Sequence, residues 1–174
     1  LSSIARGSER IRALAQRLLA FSRPGREEMA PLAVNDVVER SLELCQYQIA
    51  SGRVTLVKRL DADLPRVLGV SNQLEMALIN LVVNAVHAMG EKGGAMTVCT
   101  RRRGDDVEIS VADEGPGIPE RIRQNLFEPF VTSKPEGLGM GLSICRSIVE
   151  RHGGKISAAN NPDRGATFSI MLPV

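Results

Sequence analysis

Apolar residues recur at helical intervals in several stretches of the chain. From Leu1 to Phe21 the residues Leu1, Ile4, Ile11, Leu14, Leu18 and Phe21 return at steps of three, four and seven, with Arg6, Arg10, Arg12 and Arg17 around them. That pattern predicts one helix with one apolar face. Ser22-Arg23-Pro24-Gly25 stops it, because proline disfavours helix at Arg23 and Gly25 permits a turn, so a domain boundary is expected near Pro24. Asn35 is expected to cap a second helix through Val37, Val38, Leu42 and Leu44, ended by Gly52 ahead of the β-rich Val54–Val57, and a strand returns through Val67 and Leu68. Ser71 or Asn72, the latter with Glu75 three residues on, gives a capping signal for a strongly apolar helix from about Gln73 to Met89, ended by Gly90. Met96–Arg102 and Val107–Ala112 around Gly104-Asp105-Asp106 read as a hairpin. A Gly- and Pro-rich irregular stretch from Asp113 to Gly141 follows, broken by a short helix after Pro119. Ser143–His152 predicts a helix ended by Gly153-Gly154, and Lys155–Ala159 with Ala166–Leu172 predicts a last hairpin. The expected class is an α/β two-layer sandwich, a mixed and mostly antiparallel sheet with helices on one face, preceded by one amphipathic helix.

Composition narrows the partners more than the fold. The 174 residues fit one domain with a short appendage, and 43% hydrophobic against 24% charged residues is enough to bury a core. Aromatics are 3% with no Trp, so the core is aliphatic and base-stacking surfaces are scarce. A net charge of +2 is too small for a phosphate-tracking surface, which argues against nucleic acid as the main ligand. The run from Met76 to Val86 is interrupted by Asn80 and Asn84 and falls well short of the roughly 20 residues of a membrane span, so no membrane contact is expected. Cys45, Cys99 and Cys145 are odd in number without CxxC spacing, which suggests three free thiols in a reducing, cytoplasmic compartment. Leu1 opens directly into the amphipathic stretch without an initiator Met, so the chain is expected to be a piece of a longer protein.

Three features carry candidate chemistry. Asn80, Asn84 and His87 lie at i, i+4 and i+7, a polar stripe on an apolar helix. Such a stripe either finds partners inside the fold or faces a polar ligand, and an Asn oxygen suits Mg²⁺. Asp113-Glu114-Gly115-Pro116-Gly117 follows a strand directly. It is either a plain turn or a place where a carboxylate and bare backbone approach a flat heterocycle, accepting from an exocyclic amine. Gly137-Leu138-Gly139-Met140-Gly141-Leu142 leads into a helix, as a flexible linker or as a phosphate cradle on the unpaired amides of the first turn. No GxxxxGK[ST] loop, dinucleotide fingerprint or His-Arg-Asp catalytic loop occurs.

Taken in order, Asn80-Leu-Val-Val-Asn84-Ala, Asp113-Glu-Gly-Pro-Gly117, Phe127-Glu-Pro-Phe130 with Thr132-Ser-Lys134, the Gly137–Leu142 run and Gly165-Ala-Thr-Phe168 resemble the five nucleotide-binding boxes of the GHKL ATP-binding superfamily. The nearest likeness is to bacterial sensor histidine kinases of the nitrogen-sensor (NtrB-like) kind, with Ile148-Val-Glu-Arg-His152-Gly-Gly similar to the end of one of their helices. The resemblance covers about Leu32 to the C-terminus, and Leu1–Arg23 resembles the second helix of their dimerisation and phosphotransfer hairpin. It therefore divides the chain into residues 1–24 of a truncated hairpin and a catalytic ATP-binding domain over 25–174.

The resemblance implies the Bergerat fold, ATP and Mg²⁺ as cofactors, and a role for each matching position. Asn84 would ligate Mg²⁺ with Asn80 in support one turn away, and His87 stands where many relatives place a Lys near the phosphates. Asp113 and the glycines Gly115 and Gly117, with Ile118, would form the adenine pocket, and Thr167 would reach the base from the far side. Phe127 to Met140 would be a lid that nucleotide orders, Lys134 would reach the γ-phosphate, and Gly137, Leu138, Gly139, Met140, Gly141 and Leu142 would line the phosphate chain. Asn125 departs from the family, where an Arg near the γ-phosphate is common, leaving Arg121, Arg123 or Lys134 as substitutes.

The implied activity is that of a protein-histidine kinase module, passing the γ-phosphoryl of ATP to a histidine and thence to a response-regulator aspartate. The phosphoacceptor belongs to a helix ahead of Leu1, so this piece is not expected to phosphorylate itself. Homodimerisation through the N-terminal helix is implied for the intact parent. The alternatives are a GHKL-type ATPase, disfavoured because Asn80 stands where those relatives place a water-activating Glu, and a noncatalytic dimerisation or docking module built on the Leu1–Phe21 stripe.

Overall fold

A computed structural model describes residues 28–132 and 139–174. The helix expected over 1–21, the boundary near Pro24, and Lys134, Gly137 and Leu138 lie outside the described residues. In chain order the elements are β1 (Ala30–Leu32), α1 (Val34–Leu44), α2 (Gln46–Ser51), β2 (Val54–Leu60), β3 (Val67–Gly69), α3 (Ser71–Met89), β4 (Gly94–Arg103), β5 (Asp106–Ala112), α4 (Glu120–Arg123), α5 (Gly141–Arg151), β6 (Lys155–Asn160) and β7 (Ala166–Pro173). The main sheet runs β2-β4-β5-β7-β6. Its one parallel pair is β2 with β4, because α3 intervenes between them and a crossover returns the chain in the same direction. The other pairs are antiparallel. This is the expected α/β sandwich with a mixed, mostly antiparallel sheet.

Strand alternation decides which side is covered. Met96, Val98, Ile109, Val111, Ile170 and Leu172 are buried and meet the helix layer, where α3 packs against both α1 and α5. Leu74, Leu78, Leu81, Val82 and Val86 of α3 are all buried. Burying each of these large aliphatic side chains contributes roughly 1.5–3 kcal/mol, which is what holds α3 at the centre. Among the described residues no helix is long and apolar enough to cross a membrane. Cys45, Cys99 and Cys145 form no disulfide with one another.

Several local expectations are corrected by tertiary contacts. The strand expected through Val67 and Leu68 is present, and its partner, which no expectation named, is β1 in an antiparallel pair. Asn35 does not cap α1, whose N-cap is Ala33, two residues earlier. Its amide instead donates to the Asp61 carbonyl (2.7 Å) and accepts from the Thr100 hydroxyl (2.8 Å), tying the helix to the sheet. Neither Ser71 nor Asn72 caps α3, whose N-cap is Val70 without a side-chain bond. The Ser71 hydroxyl donates to Glu75 (2.9 Å) and accepts from Arg40 of α1 (2.7 Å). The Val70 N–H, left over at the helix start, donates to Nε2 of His152 at 3.0 Å.

The acceptor of that last bond, His152, stands at the C-terminal end of α5. The ring is 5% exposed and its Nδ1 lies 2.7 Å from the Ile148 carbonyl. With Nε2 facing the Val70 N–H, both ring nitrogens are engaged by backbone groups.

On the opposite sheet face the charged side chain of Glu108 is buried. Glu108 accepts from Arg101 directly across the ladder (2.6 Å) and from Arg103 (2.9 Å). The Arg101 bond, then the Arg103 bond, together holding off the cost of burial, lower its carboxyl from the ordinary 4.5 to about 2. A depressed folded-state value means stability that is present above 4.5 and lost as pH falls toward 2. The arginines are half exposed, so after screening the contribution is on the order of 1–2 kcal/mol. Urea unfolding across pH should show Glu108→Gln less stable by that amount near neutrality, with the gap closing between pH 4.5 and 2.

Candidate functional site

The end of β5 delivers Asp113 into the interior. Its N–H continues the ladder to the Ala166 carbonyl (2.9 Å), and its side chain, 4% exposed, folds back so that Oδ1 accepts the Gly115 N–H at 2.8 Å. Gly115 lies behind this carboxylate, where a Cβ would sit 2.8 Å from Asp113 Oδ1 and 3.0 Å from the Cβ of Ala88. The chain turns at Gly117, whose φ of +81° favours glycine, and reaches Ile118.

Asp113, Gly117 and Ile118 line a cavity of about 240 Å³ between the sheet and the helices. Ala166 and Phe168 of β7 form its sheet side, and Ile122, Leu126 and Pro119 its outer apolar wall. Asn84, His87 and Ala88 reach it from α3. At the far end stand Val131, Thr132, Gly139, Gly141 and Leu142. The cavity is thus an apolar slot with a carboxylate in its wall, opening toward amides, a hydroxyl and the N-terminus of α5. A helix start presents unpaired N–H groups and a positive dipole end, a favourable place for an anion. The root of the intervening segment is closed by the Phe130 N–H, which donates to the Gly139 carbonyl at 3.0 Å.

The other expected site residues are distributed around this cavity. Asn80 is 6% exposed and turned to the α3–α5 crossing, where its amide donates to the Gly141 carbonyl at 3.4 Å rather than lining the cavity. Phe127 packs behind the wall with Ile118, Leu126 and Ala166. Met140 is the N-cap of α5, its carbonyl accepting from Ser143 and Ile144. Thr167 is not on the wall; its hydroxyl donates to Asn161 at 2.6 Å, because alternation along β7 turns Ala166 and Phe168 inward and Thr167 outward. Of the candidate cations near Asn125, Arg123 pairs with Glu120 (3.0 Å), and neither Arg121 nor Arg123 lines the cavity. Among the described residues no cluster of three His, Cys, Asp or Glu could hold a metal alone. A divalent cation here would need oxygens from Asn84, from the ligand and from water, which is the ordinary habit of Mg²⁺.

Residues 69–174 match the family described as histidine kinase-, DNA gyrase B- and HSP90-like ATPases. The chain belongs to this family. Among individual proteins, it is 37% identical over 172 residues to the sensor histidine kinase ZraS of Klebsiella oxytoca, covering 98% of this chain and 37% of that one. It is 35% identical over 177 residues to the sensory histidine kinase/phosphatase NtrB of the same organism, covering 96% and 50%. The catalytic domain of the histidine kinase ThkA superposes with a TM-score of 0.76 at 34% identity over 84% of this chain and 95% of that domain. ThkA in complex with its response regulator TrrA gives 0.78 at 28% identity over 98% and 49%. The chain therefore spans between about a third and a half of the curated relatives named here. It is a histidine-kinase ATPase domain of the two-component sensor type, with the GHKL fold, and ATP is its nucleotide.

Proposed function

We propose that the domain holds MgATP in this cavity and delivers the γ-phosphoryl to a histidine outside these 174 residues, from which it passes to an aspartate of a response regulator. The observation that carries the reading is the buried Asp113 carboxylate at one end of an apolar slot, with the N-terminus of α5 at the other. The carboxylate accepts from the exocyclic amine of adenine, while Ile118, Leu126, Ala166 and Phe168 enclose the ring. Asn84 donates its amide oxygen to Mg²⁺, His87 stands beside the phosphates, and the amides from Gly139 to Leu142 hold the phosphate chain. Gly115 and Asn80 support from behind, Gly137, Leu138 and Met140 continue the phosphate loop, and Lys134 takes the γ-phosphate contact missing at Asn125. The chemistry asked of the protein is positioning and charge neutralisation.

Neither histidine of the chain suits the acceptor role. His152 is buried with both ring nitrogens engaged, and His87 lines the cavity itself. Residues 1–24 belong on this reading to a dimerisation and phosphotransfer hairpin, through which the parent pairs as a homodimer, and residues 25–174 form the catalytic domain. The response-regulator partner is supported by the complex of ThkA with TrrA. A cytoplasmic location follows from ATP and receiver-domain use.

The test is incubation of the chain with γ-labelled MgATP, with and without a separately supplied hairpin carrying the acceptor histidine. Label is expected on the hairpin and then on a receiver domain, and none on the chain alone. Rapid multiple-turnover phosphate release without any acceptor would instead favour the ATPase reading.

A further inference from the structure

The last residue of β6 and the turn that follows it grip the base-recognition loop at both ends. At the far end, Asn160 engages both backbone groups of Ile118: Oδ1 accepts its N–H at 2.6 Å and Nδ2 donates to its carbonyl at 3.1 Å. At the near end, Nδ2 of Asn161 donates to the Asp113 carbonyl at 3.1 Å, while its Oδ1 accepts from Thr167 at 2.6 Å. Between them the Arg164 guanidinium donates to the Glu114 carbonyl at 2.6 Å. No room separates the two segments: a Cβ on Gly117 would lie 2.9 Å from Asn160 Oδ1. Neither Asn160 nor Asn161 lines the cavity.

We propose that Asn160 and Asn161 are positioning residues that set adenine selectivity, by clamping the Asp113–Ile118 loop in its base-binding conformation. The inference rests on the nucleotide reading above. Glu114-Gly115-Pro116-Gly117 contains two glycines and would sample many backbone states if released. Only states that aim the carboxylate at the exocyclic amine within hydrogen-bond reach can bind adenine, so affinity falls with the fraction of loop in that state. On the same reading the phosphate contacts lie elsewhere in the cavity, at Asn84 and the start of α5. Loosening the clamp therefore weakens base recognition and spares phosphate binding.

Calorimetric titration of the chain with Mg-ADP, Mg-GDP and Mg-tripolyphosphate separates these effects. Asn160→Ala and Asn161→Ala should each weaken Mg-ADP about 5- to 30-fold and lower the ADP-to-GDP preference, leaving tripolyphosphate within about twofold. Asn160→Asp, which keeps the acceptor for Ile118 N–H and loses the donor, should fall between wild type and Asn160→Ala. An unchanged ADP-to-GDP preference in all three variants would overturn the proposal. Equal losses for ADP and tripolyphosphate would also overturn it, showing only a general structural role. Asp113→Asn is the control: if it leaves the preference unchanged while binding persists, the adenine site itself is wrongly placed and the clamp falls with it. If Asp113→Asn abolishes the preference and the asparagine variants do not, the adenine site stands and the clamp alone is refuted.

Discussion

Asp113→Ala should reduce affinity for Mg-ADP by about 10- to 150-fold, the equivalent of one charge-assisted hydrogen bond of roughly 1.5–3 kcal/mol. The carboxylate is 4% exposed, so the proposed bond to the base would be made away from competing water. Removing it leaves an amine donor facing apolar wall, and also leaves the Gly115 N–H without the acceptor now at 2.8 Å. Asp113→Asn is the cleaner variant, because an amide oxygen can still accept from Gly115. Its NH₂ group then opposes the adenine amine, donor against donor, so binding should be lost to a comparable extent with little change in the unfolding temperature of the free protein. Calorimetric titration reads the affinity and a thermal scan reads the fold. Near-wild-type affinity in both variants would place the base elsewhere.

Gly165→Ala should be among the most damaging single-methyl changes in the domain. Gly165 has φ of +83°, and an added Cβ would run into the Asp113 carbonyl and lie 2.9 Å from the Glu114 Cα. The left-handed backbone costs roughly 1–2 kcal/mol for any L-residue, and displacing main chain adds to that. A total of about 2–4 kcal/mol corresponds to a fall of roughly 4–16 °C in unfolding temperature for a domain of this size. Gly104→Ala is the matched comparison: its φ is +63°, with nothing within 4 Å of the added carbon, so only the backbone cost applies. Thermal scans should place Gly165→Ala well below Gly104→Ala, and Mg-ADP binding should weaken in the first alone. Equal effects would mean that the turn yields without disturbing Asp113.

The elements were legible where pattern and packing agree. The strongly apolar stretch ended by Gly90 placed α3, and Val107–Ala112 beside Gly104-Asp105-Asp106 placed β5, because their apolar residues fill the core. Helix starts were less legible. Ser71 and Asn35 have the chemistry of caps, yet Arg40 and Asp61, distant in sequence, engage their side chains, and the N–H at the start of α3 is satisfied by His152, 82 residues away. The pair of Val67–Gly69 with Ala30–Leu32 depends on where α1 lands, which no local pattern encodes.

The site divides in the same way. Polar and glycine positions such as Asn84, Asp113, Gly117 and Gly139 stand out from the sequence and do meet at one cavity. The wall supplied by Ala88, Ile122, Leu126, Ala166 and Phe168 was missed, because an apolar residue facing a slot has the same pattern as one facing the core. One usable signal was present: period-two alternation along Ala166-Thr167-Phe168 puts Thr167 opposite its neighbours, so whichever face holds Phe168 excludes it. Asn160 and Asn161 read as turn formers until the fold brings them to Ile118 and Asp113.

The most direct measurement is thermal unfolding of the chain with and without Mg-ADP. Ligand at about 100 times its Kd stabilises by about 2.7 kcal/mol, a rise of roughly 5–11 °C. If the cavity holds the nucleotide as proposed, wild type rises by that amount and Asp113→Asn does not at the same ADP concentration. No rise in wild type at millimolar Mg-ADP would contradict the proposal, since a domain with this carboxylate, slot and helix N-terminus in place would then be failing to hold the nucleotide they are arranged to bind.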